Sequence, residues 1–174
     1  IRTAGAVSHV GMIGLTLGWL ASIPVNNCVG QGDYNVVTDN FATPAFNDGT
    51  AVSLKSKTFL DNLDTFHHTF LYKRPKSAGT YHNFDYTSTA DTDDFQQLSL
   101  NRVWDKGLLL MYEAYAPYAN RQNYLDPKTG LLSPTTITHL ENVGKDALNQ
   151  MVLNAVVSGI EVTIDPNQNV LATK

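Results

Sequence analysis

Residues 93–116 read DDFQQLSLNRVWDKGLLLMYEAYA. Phe95, Leu98, Arg102, Asp105, Leu109, Tyr112 and Ala116 recur every three or four positions, and Leu108 and Tyr115 widen the stripe, so the spacing predicts a helix from Asp93 to about Ala116. Thr92 or Asp91 stands where a cap belongs. Asp93 and Asp94 place negative charge at the positive end of the helix dipole, and Pro117 stops the run because a proline cannot continue it.

Working outward, Ser133-Pro134 reads as a cap followed by a first helical turn. The stripe behind it is Ile137, Leu140, Gly144, Ala147 with Leu148, and Met151. Between the two helices, Asp126-Pro127-Lys128-Thr129-Gly130 is a turn by composition. Downstream, Ile160, Val162 and Ile164 alternate with polar residues over 159–170 and predict a strand broken at Asp165-Pro166. Upstream, residues 66–73 (FHHTFLYK) and 81–87 (YHNFDYT) read as an antiparallel pair of strands joined by a loop over 74–80. Leu54, Phe59, Leu60 and Leu63 predict a short helix over 53–64, and Asn47-Asp48-Gly49 a tight turn. Short strands are expected at Val25–Val29 and Tyr34–Val37. The apolar, glycine-rich stretch ahead of Pro24 predicts a helix whose Gly14, Gly18 and Ser22 share one face, small enough to lie close on a sheet. Together these elements predict an α/β (mixed α+β) fold: a mixed sheet flanked by about four helices, in a single domain over 1–174.

Composition narrows the function. Of 174 residues only 16% are charged, against about 25% in ordinary globular domains, while Thr (18) and Asn (15) are abundant. That surface suits a chain packed against copies of itself. A net charge of −4 and a pI near 5.6 argue against a polyanion binder. The lone Cys28 excludes an internal disulfide and a multi-thiolate zinc site, and no Asn-x-Ser/Thr acceptor occurs. The apolar run Val10–Ile23 is shorter than the roughly 20 residues of a membrane span. A signal-peptide reading has Arg2 to rest on but no start Met.

Motifs for chemistry are sparse. No nucleophile elbow, phosphate-binding loop or dinucleotide fingerprint is present. Asp91, Asp93 and Asp94 offer oxygens to a hard cation, but they lack the glycine turn and distal Glu of a calcium loop, and a helix start explains them. His67 and His68, adjacent on an expected strand, face opposite sides; His82 on the next strand could join one of them. His9 and His139 are solitary, and Glu113 is a single helical carboxylate. Arg102, Asp105 and Lys106 interrupt an apolar face, either as local helical pairs or as a contact with another chain. Catalytic residues, metal ligands and cofactors are therefore all expected to be none. Asp93, Asp94, Arg102, Asp105 and Lys106 stand as candidate structural or subunit-contact residues.

The order of motifs carries a resemblance. A Gly79-Thr80-Tyr81-His82-Asn83-Phe84-Asp85 strand precedes the Thr92-Asp93-Asp94-Phe95 loop and then Asn101-Arg102-Val103-Trp104-Asp105-Lys106. After these come the turn at 125–133, Leu148-Asn149-Gln150-Met151, and Val162-Thr163-Ile164-Asp165-Pro166-Asn167-Gln168-Asn169-Val170. Upstream, the Gly11–Ile23 helix followed by Val25-Asn26 fits the same order. The series resembles the contractile tail sheath proteins of bacteriophages and related contractile injection systems. It departs from them at Trp104 and Gly107, and residues 38–58 match nothing in the family.

The resemblance implies a structural subunit and not an enzyme. Such a subunit polymerises helically around a tail tube, with strand-donating arms and rigid-body rotation on contraction. It implies copies of itself, a tail tube protein and baseplate and terminator proteins as partners, no nucleic acid and no membrane insertion. The location would be a virion tail assembled in the bacterial cytoplasm. The segment would be the conserved core of a longer chain lacking its arms, with unpaired strand edges where they are missing. Another virion or injection-machine part, or a metal-dependent α/β enzyme using His67 or His68, His82 and the 91–94 loop, are the alternatives.

Overall fold

The computed structural model describes residues 11–36, 44–87, 89–90, 92–119, 121 and 123–167. Among them run α1 (Met12–Ser22), α2 (Lys57–Thr65), β1 (Leu71–Tyr72), β2 (Tyr81–His82), α3 (Leu98–Tyr115) and α4 (Pro134–Leu153), with single 3-10 turns at Val52–Leu54 and Ala116–Tyr118. The fold is mixed α+β, with four helices and a small antiparallel sheet. Packing divides the chain into two compact units, Ile1–Arg102 and Val103–Lys174.

In the first unit β1 and β2 pair with Leu71 opposite His82 and Tyr72 opposite Tyr81. The antiparallel pairing follows the sequence pattern, but the ladder is far shorter than 66–73 and 81–87 and no mixed sheet forms from it. His67 turns the chain with φ 56°, which takes it and His68 out of any strand. The Asn83 carboxamide then replaces the ladder: its oxygen accepts from Phe70 N (2.8 Å) and its nitrogen donates to Asp64 Oδ1 (2.9 Å) and His68 O (3.1 Å). A short side chain of this kind competes with sheet pairing for the backbone. Opposite the ladder, Arg74 lies 4.5 Å over the Tyr81 ring and donates to Gly30 O (3.1 Å).

Turns, not strands, dominate 25–33, where the Asn27 and Gln31 amides each bond three residues back; no strand is assigned at 34–36, although Val36 N donates to Thr80 O (2.8 Å) and Asn35 Oδ1 accepts from Thr80 N (3.0 Å), and Val37 lies outside the described residues. The Asn47-Asp48-Gly49 turn forms as read, with Gly49 at φ 78° and the Asp48 carboxylate accepting from Thr50 N. Helix α2 begins at Lys57, not 53, because the Ser56 hydroxyl caps Phe59 N. Helix α1 occupies its expected place, but its glycine face does not lie on the sheet. A Cβ built on Gly11, Gly14 or Gly18 meets nothing within 4 Å.

In the second unit α4 starts as the sequence dictates, with Ser133 accepting from Thr136 N and Pro134 in the first turn. Gly144 and Met151 of its stripe are buried, and α3 packs on it through Gly107, whose Cβ would sit 3.8 Å from Met151 Sδ. The Tyr115 hydroxyl donates to Leu140 O (2.8 Å). It passes so close to Gly144 that a Cβ there would lie 2.5 Å from Tyr115 Oη and 3.0 Å from Val162 Cγ1.

Gly144→Ala is therefore expected to destabilise the chain by about 1–3 kcal/mol through overpacking, although alanine is the better helix former by about 1 kcal/mol. Thermal unfolding followed by circular dichroism reads this directly; an unchanged or raised Tm would contradict the close approach.

Candidate functional site

The first turn of α3 gathers the polar groups of the first unit. Asp85 is buried, and its backbone oxygen accepts from Leu98 N (2.8 Å) while its carboxylate Oδ2 accepts from Ser99 N (2.9 Å). This satisfies two of the free amides at a helix start. The cap comes from a residue far back in the chain, so α3 begins at Leu98, not at Asp93. Asp93 instead closes a turn with Phe95 N (2.8 Å), and Asp94 is exposed before the helix. Asp91 lies outside the described residues.

Arg102, one turn into α3, caps the other end of a different helix. Its Nη2 donates to Leu20 O (2.6 Å) and Ile23 O (3.0 Å), and its Nη1 reaches Pro24 O at 3.4 Å. A cation on the free carbonyls at a helix C-terminus opposes the negative end of its dipole. Burial pulls the guanidinium's pKa below its ordinary value, and the charge of Asp85 pushes it back up. Among the described residues no ion pair joins Asp105 to Arg102 or to Lys106. Asp105 is exposed and Lys106 half-buried. The five candidate residues thus do not converge: Arg102 has a structural partner, and the others lie apart on turn and helix surface.

His82 forms the second tether on α1. The Thr16 hydroxyl donates to Met12 O at 3.0 Å, which uses its only proton, so the 3.0 Å contact with His82 Nε2 places the hydrogen on the ring. His82 Nδ1 is then a bare lone pair, wholly buried and without a hydrogen-bond partner among the described residues. Burial lowers the ring's pKa to about 4. Cys28 is held in the opposite sense. Burial first, then the Asp85 side chain, push its thiol up to about 11, so it is no thiolate at neutral pH. His67 stacks on Tyr86 at 4.7 Å, and among the described residues no group of three His, Cys, Asp or Glu could hold a metal ion.

The second unit offers a different kind of site. Residues 159–165 run unbent, and burial alternates along them: Val162 buried, Ile160 and Ile164 half-buried, Glu161 and Thr163 exposed. That is the period of a strand. Among the described residues no backbone group of this stretch bonds to another backbone. Its one fixed amide, Ile164 N, donates to Glu141 Oε1 of α4 at 3.1 Å. Successive amides of a strand point to opposite edges, so those of Glu161 and Thr163 form the edge away from that bond. The sequence expects a strand over 159–170; the structure assigns none at 159–165, only a stretch whose burial alternates and which has no backbone partner among the described residues, and residues 168–170 lie outside them.

No family model, no curated protein and no solved structure matches the chain.

Acid is expected to weaken the first unit through His82. The unfolded ring titrates near 6.5 and the folded one near 4, so between these values the unfolded chain binds the extra proton. Stability is full above about pH 6.5 and falls as the pH drops towards 4, by up to about 3 kcal/mol. Denaturant titrations across this range should show the loss, and His82→Gln, which keeps a donor for Thr16 but cannot titrate there, should remove it.

Proposed function

We propose that the chain is a structural subunit of a contractile tail sheath. It polymerises helically around a tail tube and contracts to drive that tube through a target cell envelope. The observation that carries this reading is the stretch at 159–165, which has the burial period of a strand and no backbone partner among the described residues. Its inner face is fixed on α4 through Val162, and its outer edge presents amides and carbonyls that have no backbone partner among the described residues. A preformed edge of this kind is completed when an extended segment of another chain adds to it, main chain to main chain. Its residues 162–165 belong to the Val162–Val170 stretch that carries the resemblance.

The partners on this reading are further copies of the chain, the tail tube protein, and baseplate and terminator proteins. Assembly takes place in the bacterial cytoplasm and the working location is the virion tail or its injection-system counterpart. The chain supplies lattice contacts, with no catalytic residue, metal or cofactor. A low fraction of charged residues fits a surface that is mostly covered in the lattice.

Negative-stain microscopy of the concentrated full-length protein is expected to show hollow tubes. Thr163→Pro deletes an amide on the free edge while suiting extended backbone; it should abolish the tubes and leave the Tm unchanged. Monodisperse protein in the unsubstituted chain, or tubes that persist in Thr163→Pro, would overturn the reading.

A further inference from the structure

Helix α1 is fastened to the first unit at its middle and at its end, and the middle fastening is a buried histidine. None of the residues Met12–Ser22 is buried, so moving the helix uncovers little that water does not already reach. The polar and aromatic holds on it among the described residues come from three side chains. At its C-terminal end Arg102 donates to Leu20 O and Ile23 O. At its middle Thr16 Oγ1 accepts from His82 Nε2 at 3.0 Å. Between them the Trp19 ring lies against Tyr34 at 5.9 Å.

The hold at His82 suits the neutral ring alone. Nε2–H has its acceptor in Thr16, and Nδ1 is a lone pair out of reach of solvent and without a partner. An added proton goes on Nδ1. It creates a cationic N–H that is buried and has no acceptor, which costs far more than a neutral orphan donor. Nothing nearby offsets that charge. Helix α1 carries no charged or titratable side chain. The strand pair brings Tyr72 on β1 and Tyr81 on β2, the latter under Arg74. The run after β2 brings Asp85 with Cys28 beside it, and α3 brings Arg102. Asp85 and Arg102 are engaged with backbone groups, and none of these residues bonds Nδ1. The ring escapes the cost by reaching water, and the helix lying on its Nε2 is the neighbour with no buried side chain to hold it in place.

We infer that protonation of His82 releases α1 from the first unit while the strand pair and the start of α3 stay folded, with the Arg102-capped end at Leu20–Ile23 as the pivot. A guanidinium keeps its charge throughout the acid range, so the hold at the end outlasts the hold at the middle. A helix of 11 residues freed from its support is too short to keep its hydrogen bonds in water, so release also unwinds it. The bonds that keep the rest of the unit do not pass through α1: Asn83 N is on Phe70 O, and the Leu98 and Ser99 amides are on Asp85. The release does not depend on the chain being a sheath subunit.

Hydrogen exchange of the full chain at about pH 7.5 and about pH 5, with each amide's rate divided by its intrinsic rate, tests this. A ring that titrates near 6.5 when exposed and near 4 when buried favours opening about thirtyfold more at the lower pH. Protection of the Thr16–Trp19 amides should fall by about that factor, and at the lower pH it should lie about tenfold or more below that of Asn83, Leu98 and Ser99. One common protection factor for all of these amides would mean that the unit opens as a whole, and would overturn the inference. So would α1 protection that is the same at both pH values. In His82→Gln the α1 protection should no longer depend on pH; a dependence that persists in the folded variant would assign the effect to another group and overturn the inference. Should that variant fail to fold, Thr16→Val leaves Nε2–H without its acceptor and should lower α1 protection about fivefold or more even at neutral pH. Unchanged protection there would show that the His82 contact does not hold the helix.

Discussion

A backbone amide or carbonyl with nothing to bond costs free energy wherever water is excluded from it, and the stretch at 159–165 sits under that constraint. Val162 holds it against α4 and Glu141 fixes one amide, so it cannot fold away into a helix or a turn. Water satisfies the edge while it is exposed. A segment that packs along the Glu161 and Thr163 edge must bring backbone partners with it, as an added strand does.

In the first unit charge and hydrogen bonding fix the helix ends. Asp85 starts α3, Arg102 ends α1, and His82 holds α1 through Thr16, while among the described residues the buried apolar side chains of that unit are Ile23, Val29, Val36, Val52 and Tyr81. His82, Cys28 and Arg102 are committed to this framework. His82 has its Nε2 proton on Thr16, Cys28 keeps its thiol proton beside Asp85, and the Arg102 guanidinium is spent on carbonyls. Their perturbed titration follows from packing α1 against the start of α3, and acid is accordingly the condition that loosens this unit first.

Local signals in the sequence were legible and long-range ones were not. Ser133-Pro134 places the start of α4 to the residue because cap and first turn are neighbours in the chain. The Asp48-Gly49 and Asp126–Gly130 turns form as read for the same reason. The start of α3 is misplaced by five residues because its cap, Asp85, is thirteen residues upstream of Leu98, where no periodicity could reveal it. The strands at 66–73 and 81–87 shrink to two residues each because Asn83 and the left-handed His67 take over backbone groups that an alternating pattern assigns to a ladder. At the candidate site, the sequence marks Arg102 as a polar break in an apolar face, but the carbonyls it bonds lie 78 to 82 residues away. The glycine row of α1 is visible in the sequence, while its exposure to solvent depends on packing that only the folded chain reveals.

Hydrogen exchange of the Glu161 and Thr163 amides, followed from dilute to concentrated protein, tests the central claim most directly. The account predicts that both exchange at nearly the unprotected rate in the dilute chain and become strongly protected as the chain associates. Protection already complete in the dilute chain would mean the edge is paired within one copy. Association without any gain of protection would mean the edge is not where copies join. Either result would contradict the account.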